Sequence, residues 1–118
     1  MEWNELVDAG TAFFEERVRL RRPTSYTELN MGLHQRTGQR LFDFSEQSER
    51  TAMGHLLALT VERDDPTRGY MLSALVMYLD GNDAGSGFYA LAKQPHVPGA
   101  DGPRDAFWLS QLRGLGIR

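Results

Sequence analysis

The chain has no cysteine among its 118 residues. That excludes a disulfide framework, a thiolate metal site and a thiol nucleophile. Lysine is almost missing too, with Lys93 standing against twelve arginines. The planar arginine fork suits bidentate contacts to phosphate or carboxylate, although GC-rich coding explains the same bias more plainly. Long apolar runs are lacking. The longest, Met71 to Leu79, is broken by Ser73 and is far too short to span a bilayer. The opening residues, Met-Glu-Trp-Asn-Glu-Leu, carry neither a basic nor an apolar region of the kind a signal peptide needs. His34, His55 and His96 are widely separated and show no paired ligand spacing. No carboxylate pair falls in a catalytic motif. The expectation is a cytoplasmic protein with no membrane span, no bound metal and no small-molecule cofactor.

The length suits one domain, residues 1–118, and 41% hydrophobic content is enough for a core. Net charge is −3, unevenly placed. Residues 45–65 carry Arg50 and Arg63 against Glu46, Glu49, Glu62, Asp64 and Asp65. Arg17, Arg19, Arg21 and Arg22 form the densest basic cluster, with Glu15 and Glu16 adjoining it. A solvated helix end is the simplest reading of that cluster, since cations favour a helix C-terminus.

Hydrophobic periodicity predicts a first helix over 2–20. Its apolar stripe is Trp3, Leu6, Val7, Ala9, Phe13, Phe14 and Val18, with Glu15 and Arg19 as i,i+4 partners outside. Pro23 stops it. Ser25-x-x-Glu28 has capping-box spacing and starts a second helix that ends at Gly38. A third helix restarts at Ser45 and buries Ala52, Met53, Leu56, Leu57, Thr60 and Val61. Tyr70 to Leu79 is apolar on both alternating sets and reads as a strand covered on both faces. Asp80 to Gly87 is a glycine- and aspartate-rich turn, and Phe88 to Lys93 resumes as helix. Residues 94–103 read as an extended connection, and 105–113 as a last helix docked through Phe107, Trp108 and Leu112.

Four short segments carry a resemblance. They are Ser25-Tyr26-Thr27-Glu28-Leu29, Thr51-Ala52-Met53-Gly54, Leu72-Ser73-Ala74-Leu75-Val76 and Gly85-Ser86-Gly87-Phe88-Tyr89. In this order they resemble the DNA-binding part of alkylguanine-DNA alkyltransferases and their alkyltransferase-like relatives. The resemblance covers residues 23–93. It implies an α+β fold, a winged helix-turn-helix-like domain with extra N-terminal and C-terminal helices, and a recognition helix around Thr51 to Gly54. Ser73 stands where that family has its alkyl-accepting cysteine, and Ala74 where it has a histidine. A serine with no adjacent base is a weak nucleophile, so alkyl transfer is not expected. The family's base-displacing arginine falls on Thr51, with Arg50 one residue, and about 100° of helix, away.

The expectation is therefore a non-enzymatic binding module. Its first partner is DNA, contacted by Tyr26, Arg36, Arg40, Arg50, Thr51, His55, Asn82 and Ser86. Carboxylates near 45–65 oppose that reading, because neutralising phosphates supplies most affinity for DNA. The alternative is a protein-interaction, adaptor or inhibitor module with an acidic surface. A third reading is a small enzyme or regulatory subunit with Ser73 and Tyr26 in a pocket. Arginines converging near residues 48–63 with Arg36 and Arg40 would favour DNA; exposed Phe107 or Trp108 would favour a protein.

Overall fold

The computed structural model describes residues 2–64, 68–77, 88, 89, 92 and 97–117. Helix α1 spans Trp3–Leu20 and buries Leu6, Val7, Phe13 and Phe14, the stripe that its periodicity predicts. A fully buried side chain the size of Phe14 contributes about 2–3 kcal/mol. The helix ends before Pro23, at Arg21, which closes the last turn in the left-handed region with φ 56°. The expected Glu15–Arg19 pair does not form. Glu15 turns instead to Arg68, 53 residues along the chain.

Strand β1 is only Thr24–Ser25, and α2 follows at Tyr26–Thr37. Ser25 Oγ accepts the Glu28 amide at 3.1 Å, so the first half of the capping box is present. The second half is not, because the Glu28 carboxylate accepts from Arg17 on α1 at 3.0 Å. Gly38 terminates α2 with φ 73°, a conformation that suits a residue without Cβ. The connection to α3 is pinned by a two-way clasp. Asn30 Nδ2 donates to the Phe42 carbonyl and Asn30 Oδ1 accepts the Phe42 amide, both at 2.9 Å.

Helix α3 spans Gln47–Glu62 and buries Met53, Leu56, Leu57 and Thr60. It starts two residues later than Ser45 suggests, because the Ser45 hydroxyl and amide both bond the Asp43 carboxylate in the preceding turn. Helix α1 packs against both α2 and α3.

The expected strand from Tyr70 to Leu79 is corrected. Leu72–Leu75 is a 3₁₀ turn and Val76–Met77 is strand β2, while Tyr78 and Leu79 lie outside the described residues. Strand β2 pairs parallel to β1, Thr24 with Val76 and Ser25 with Met77. The burial expectation holds for Met71 to Val76, all buried, but not for Tyr70, which is exposed, nor fully for Met77, which is half-buried. A continuous apolar run marks burial without distinguishing strand from turn. What decides here is helix α4, Arg104–Gly114. Its Gln111 Oε1 accepts the Met71 amide and its Trp108 Nε1 donates to the Ala74 carbonyl, each at 2.8 Å. Side chains thus satisfy backbone groups that a ladder would otherwise have to pair. Phe107, Trp108 and Leu112 are buried, as expected.

Phe88, Tyr89 and Ala92 are helical and buried. Of the expected extended connection, residues 94–96 lie outside the described residues and 98–102 form turns instead, with Ala100 N bonding Val97 O and Gly102 N bonding Gly99 O. Among the described residues the architecture is α+β: four numbered helices and a two-stranded parallel sheet around one apolar cluster. No helix among them is long and apolar enough to cross a membrane.

Candidate nucleic-acid interface

The outer side of α3 carries two of the candidate residues, Thr51 and His55. Met53, Leu56, Leu57 and Thr60 turn inward, and the 3.6-residue repeat then places Ser48, Thr51 and His55 outward, where all three are exposed. Gly54 lies beside them and is also exposed. A Cβ built on Gly54 meets nothing within 4 Å. Other helical glycines differ. A Cβ on Gly32 lies 2.7 Å from Phe13 Cε2, and one on Gly114 overlaps the Tyr70 ring. Those two are required by packing inside the chain, whereas no packing against the described residues requires Gly54. His55 sets its ring edge-on to half-buried Trp3 at a centroid distance of 5.2 Å, which ties the outer face of α3 to the start of α1.

Tyr26, Arg40 and Arg50 meet around the connection that leads into α3. Half-buried Tyr26 stacks edge-on with Phe44 at 6.2 Å. Arg50 donates to the Phe44 carbonyl at 2.7 Å and to Gln47 Oε1 at 2.9 Å. Arg40 grips the Glu49 carboxylate with both terminal nitrogens. That grip holds Glu49 below the usual carboxylate range, helped by the Asp43 amide, and raises Arg40 in turn. Asp43 is also lowered, mainly by the Ser45 hydroxyl and then the Ser45 amide.

Arg36 does not join this group. It bonds Glu16 on α1 at 2.8 Å, and its guanidinium sits 5.6 Å from the Phe13 ring centre. The candidate residues Asn82 and Ser86, with the turn that holds them, lie outside the described residues. The structure thus gathers Tyr26, Arg40 and Arg50 around the connection into α3, sets Thr51 and His55 on the outer face of α3, and leaves Arg36 on the α1–α2 side.

These pairings change the charge balance that the sequence suggests. Glu49 is neutralised by Arg40, and Asp64 by Arg68, both from outside α3. Neither Phe107 nor Trp108 is exposed as a protein anchor.

No family model matches the chain, and neither a curated protein nor a solved structure does.

Ser73 is buried, and its Oγ has no hydrogen-bond partner among the described residues. Among the described residues none hydrogen-bonds its Oγ as a base would. One feature weighs more in the structure than in the sequence. Glu15 and Glu16 turn to Arg68 and Arg36, away from the cluster they adjoin in sequence. Arg19, Arg21 and Arg22 are left exposed, and among the described residues none of the three forms an ion pair. A signal for this lay in the local run of arginines; the fate of the glutamates did not.

Proposed function

We propose that the chain is a non-enzymatic DNA-binding module of winged-helix type, with α3 as its reading helix. The order α2, α3, buried 3₁₀ turn with the short β2, and helical Phe88, Tyr89 and Ala92 supports that layout. The observation that carries the reading is the outer face of α3. Ser48, Thr51, Gly54 and His55 present no carboxylate, and Gly54 is exposed in a helix interior where no described residue packs against it. A major groove about 12 Å wide admits one helix. A glycine at the contact lets the groove wall approach the helix backbone more closely than any side chain would.

Arg50 is the nearest cation on the helix itself, held by one carbonyl and one amide oxygen rather than by a carboxylate. Reorienting it toward a phosphate leaves no buried charge behind. The Arg36–Glu16 pair is exposed, and such pairs contribute only about 0–1 kcal/mol, so a phosphate competes with Glu16 readily.

The test is fluorescence anisotropy with a random duplex across salt, comparing the wild-type chain with Thr51→Glu. Thr51 is exposed on α3, so the added carboxylate leaves the fold intact and repels phosphate. Binding that weakens steeply with salt and disappears in Thr51→Glu is expected. Equal binding by both proteins would remove α3 from the contact.

A second reading, a protein partner, is favoured by Leu41. It is 42% exposed beside Arg40, on the connection that enters α3. Binding of a protein partner that Leu41→Ser abolishes, with no retention of duplex, would establish it.

A further inference from the structure

We infer that the C-terminal end of α1 is a second contact surface, a phosphate-backbone anchor formed by Arg19, Arg21 and Arg22. The inference rests on the reading that the partner is DNA and names where its backbone is held. Three observations lead to it. Arg19, Arg21 and Arg22 are exposed, and among the described residues none of them forms an ion pair. The carboxylates beside them in sequence are already neutralised, Glu15 by Arg68 and Glu16 by Arg36, while Arg17 of the same cluster is engaged by Glu28. Three mutually repelling cations therefore stand within about one helical turn, without a counter-charge from the described residues.

The third observation is Arg21 itself. It is the only residue other than glycine with positive φ among the described residues, at 56°. Its amide bonds the Val18 carbonyl, and the Arg22 amide bonds the Arg17 carbonyl, so this is a left-handed helix stop of the kind normally given to glycine. An arginine there is harder to accommodate than glycine and adds nothing to the stop. Strain kept at one residue points to a use for its side chain. The helix dipole favours cations at this end, which accounts for Arg17 and Arg19 in the last turn. It does not account for a left-handed arginine where glycine would close the helix with less strain.

The partner that fits is a continuous anionic strand. A duplex presents a phosphate every 3.4 Å of axis per strand, so several fall within reach of a cluster this size. The guanidinium fork takes phosphate oxygens in pairs. An anionic lipid surface fits less well, because Leu20, 54% exposed, is the single large apolar side chain among these arginines.

The experiment compares the wild-type chain with the triple variant Arg19→Ala/Arg21→Gly/Arg22→Ala, by anisotropy with a random duplex between about 50 and 200 mM salt, the range over which phosphate contacts show most clearly. Thr51→Glu serves as the control for α3. Arg21→Gly relieves the left-handed strain, so the triple variant melts no lower than the wild-type chain, and lost binding cannot be lost folding. The expected result is a log–log salt slope smaller by about 2–3, and affinity at 100 mM salt lower by on the order of a hundredfold. An unchanged slope and affinity in the triple variant, with binding abolished by Thr51→Glu, would overturn the anchor and leave the α3 reading intact. Loss in the triple variant with none in Thr51→Glu would uphold the anchor and overturn α3. A wild-type chain that retains no duplex at the lowest salt would overturn both. Arginine-dependent binding to phosphatidylserine-containing vesicles without duplex binding would replace the nucleic acid with a membrane.

Discussion

Replacing Gly54 with alanine separates folding from binding at one position. Gly54 lies in the interior of α3, and its φ is not in the left-handed region that only glycine adopts freely. A Cβ placed there meets no atom of the described residues beyond its own helix backbone within 4 Å. The folded state therefore loses nothing, and the unfolded chain loses backbone freedom. The helix-propensity difference between glycine and alanine at an exposed interior position is about 0.8–1 kcal/mol. For a chain of this size a gain of that order raises Tm by roughly 3–6 °C. Urea denaturation gives the free energy, through a higher midpoint at unchanged slope. Duplex titration of the same protein gives the other half. If the groove wall approaches the helix backbone at Gly54, the added methyl group holds it off and affinity falls while stability rises. Destabilisation would show that this side of α3 is not open, and would refute the geometry. Greater stability with unchanged affinity for DNA would refute the role assigned to Gly54. Gly32→Ala is the contrasting control. Its Cβ presses on the Phe13 ring, so it destabilises by roughly 1–3 kcal/mol.

Other expectations follow from single contacts. Asn30→Ala leaves both the amide and the carbonyl of buried Phe42 without their partner, and is expected to lower stability by about 1–3 kcal/mol in chemical denaturation. Ser73→Ala removes a buried hydroxyl with no bonding partner among the described residues, and is expected to stabilise by roughly 1 kcal/mol; a clear loss of stability would reveal a partner for Ser73. Asp43 and Glu49 are held below their ordinary carboxylate values in the folded chain, so their contribution is present above those values and is lost as the pH falls through the lowered ones. Thermal melts from neutral pH downward should therefore show acid destabilisation that starts near pH 4, the usual carboxylate range, and that is smaller in Glu49→Gln. Equal pH profiles for Glu49→Gln and the wild-type chain would contradict the Arg40–Glu49 grip.

What the sequence makes legible is periodic and local. The apolar stripe of α1, the Ser25 cap, the glycine stop at Gly38 and the docking of Phe107 and Trp108 all follow from spacing. The segment Met71 to Met77 was legible as buried but not as a turn. Its geometry depends on Trp108 and Gln111, which reach back from α4 across more than thirty residues. The charges were least legible. Sequence spacing offers Glu15 to Arg19 and Glu28 to its own cap. The fold instead gives Glu15 to Arg68, Glu16 to Arg36 and Glu28 to Arg17. Each of these partners is set by how α1 lies against its neighbours, and no local rule encodes that. The candidate interface changes in the same way. The cations expected near α3 are partly engaged, and three arginines read as a solvated helix end find no counter-ion among the described residues.

The central claim is that the outer face of α3 contacts DNA. Amide chemical-shift mapping of the ¹⁵N-labelled chain with a random duplex at low salt tests it most directly. The account predicts shifts concentrated at Ser48, Thr51, Gly54 and His55, together with Arg19, Arg21 and Arg22, and none at buried Phe107 or Trp108. No shifts at any duplex concentration, or shifts that leave α3 untouched, would contradict it.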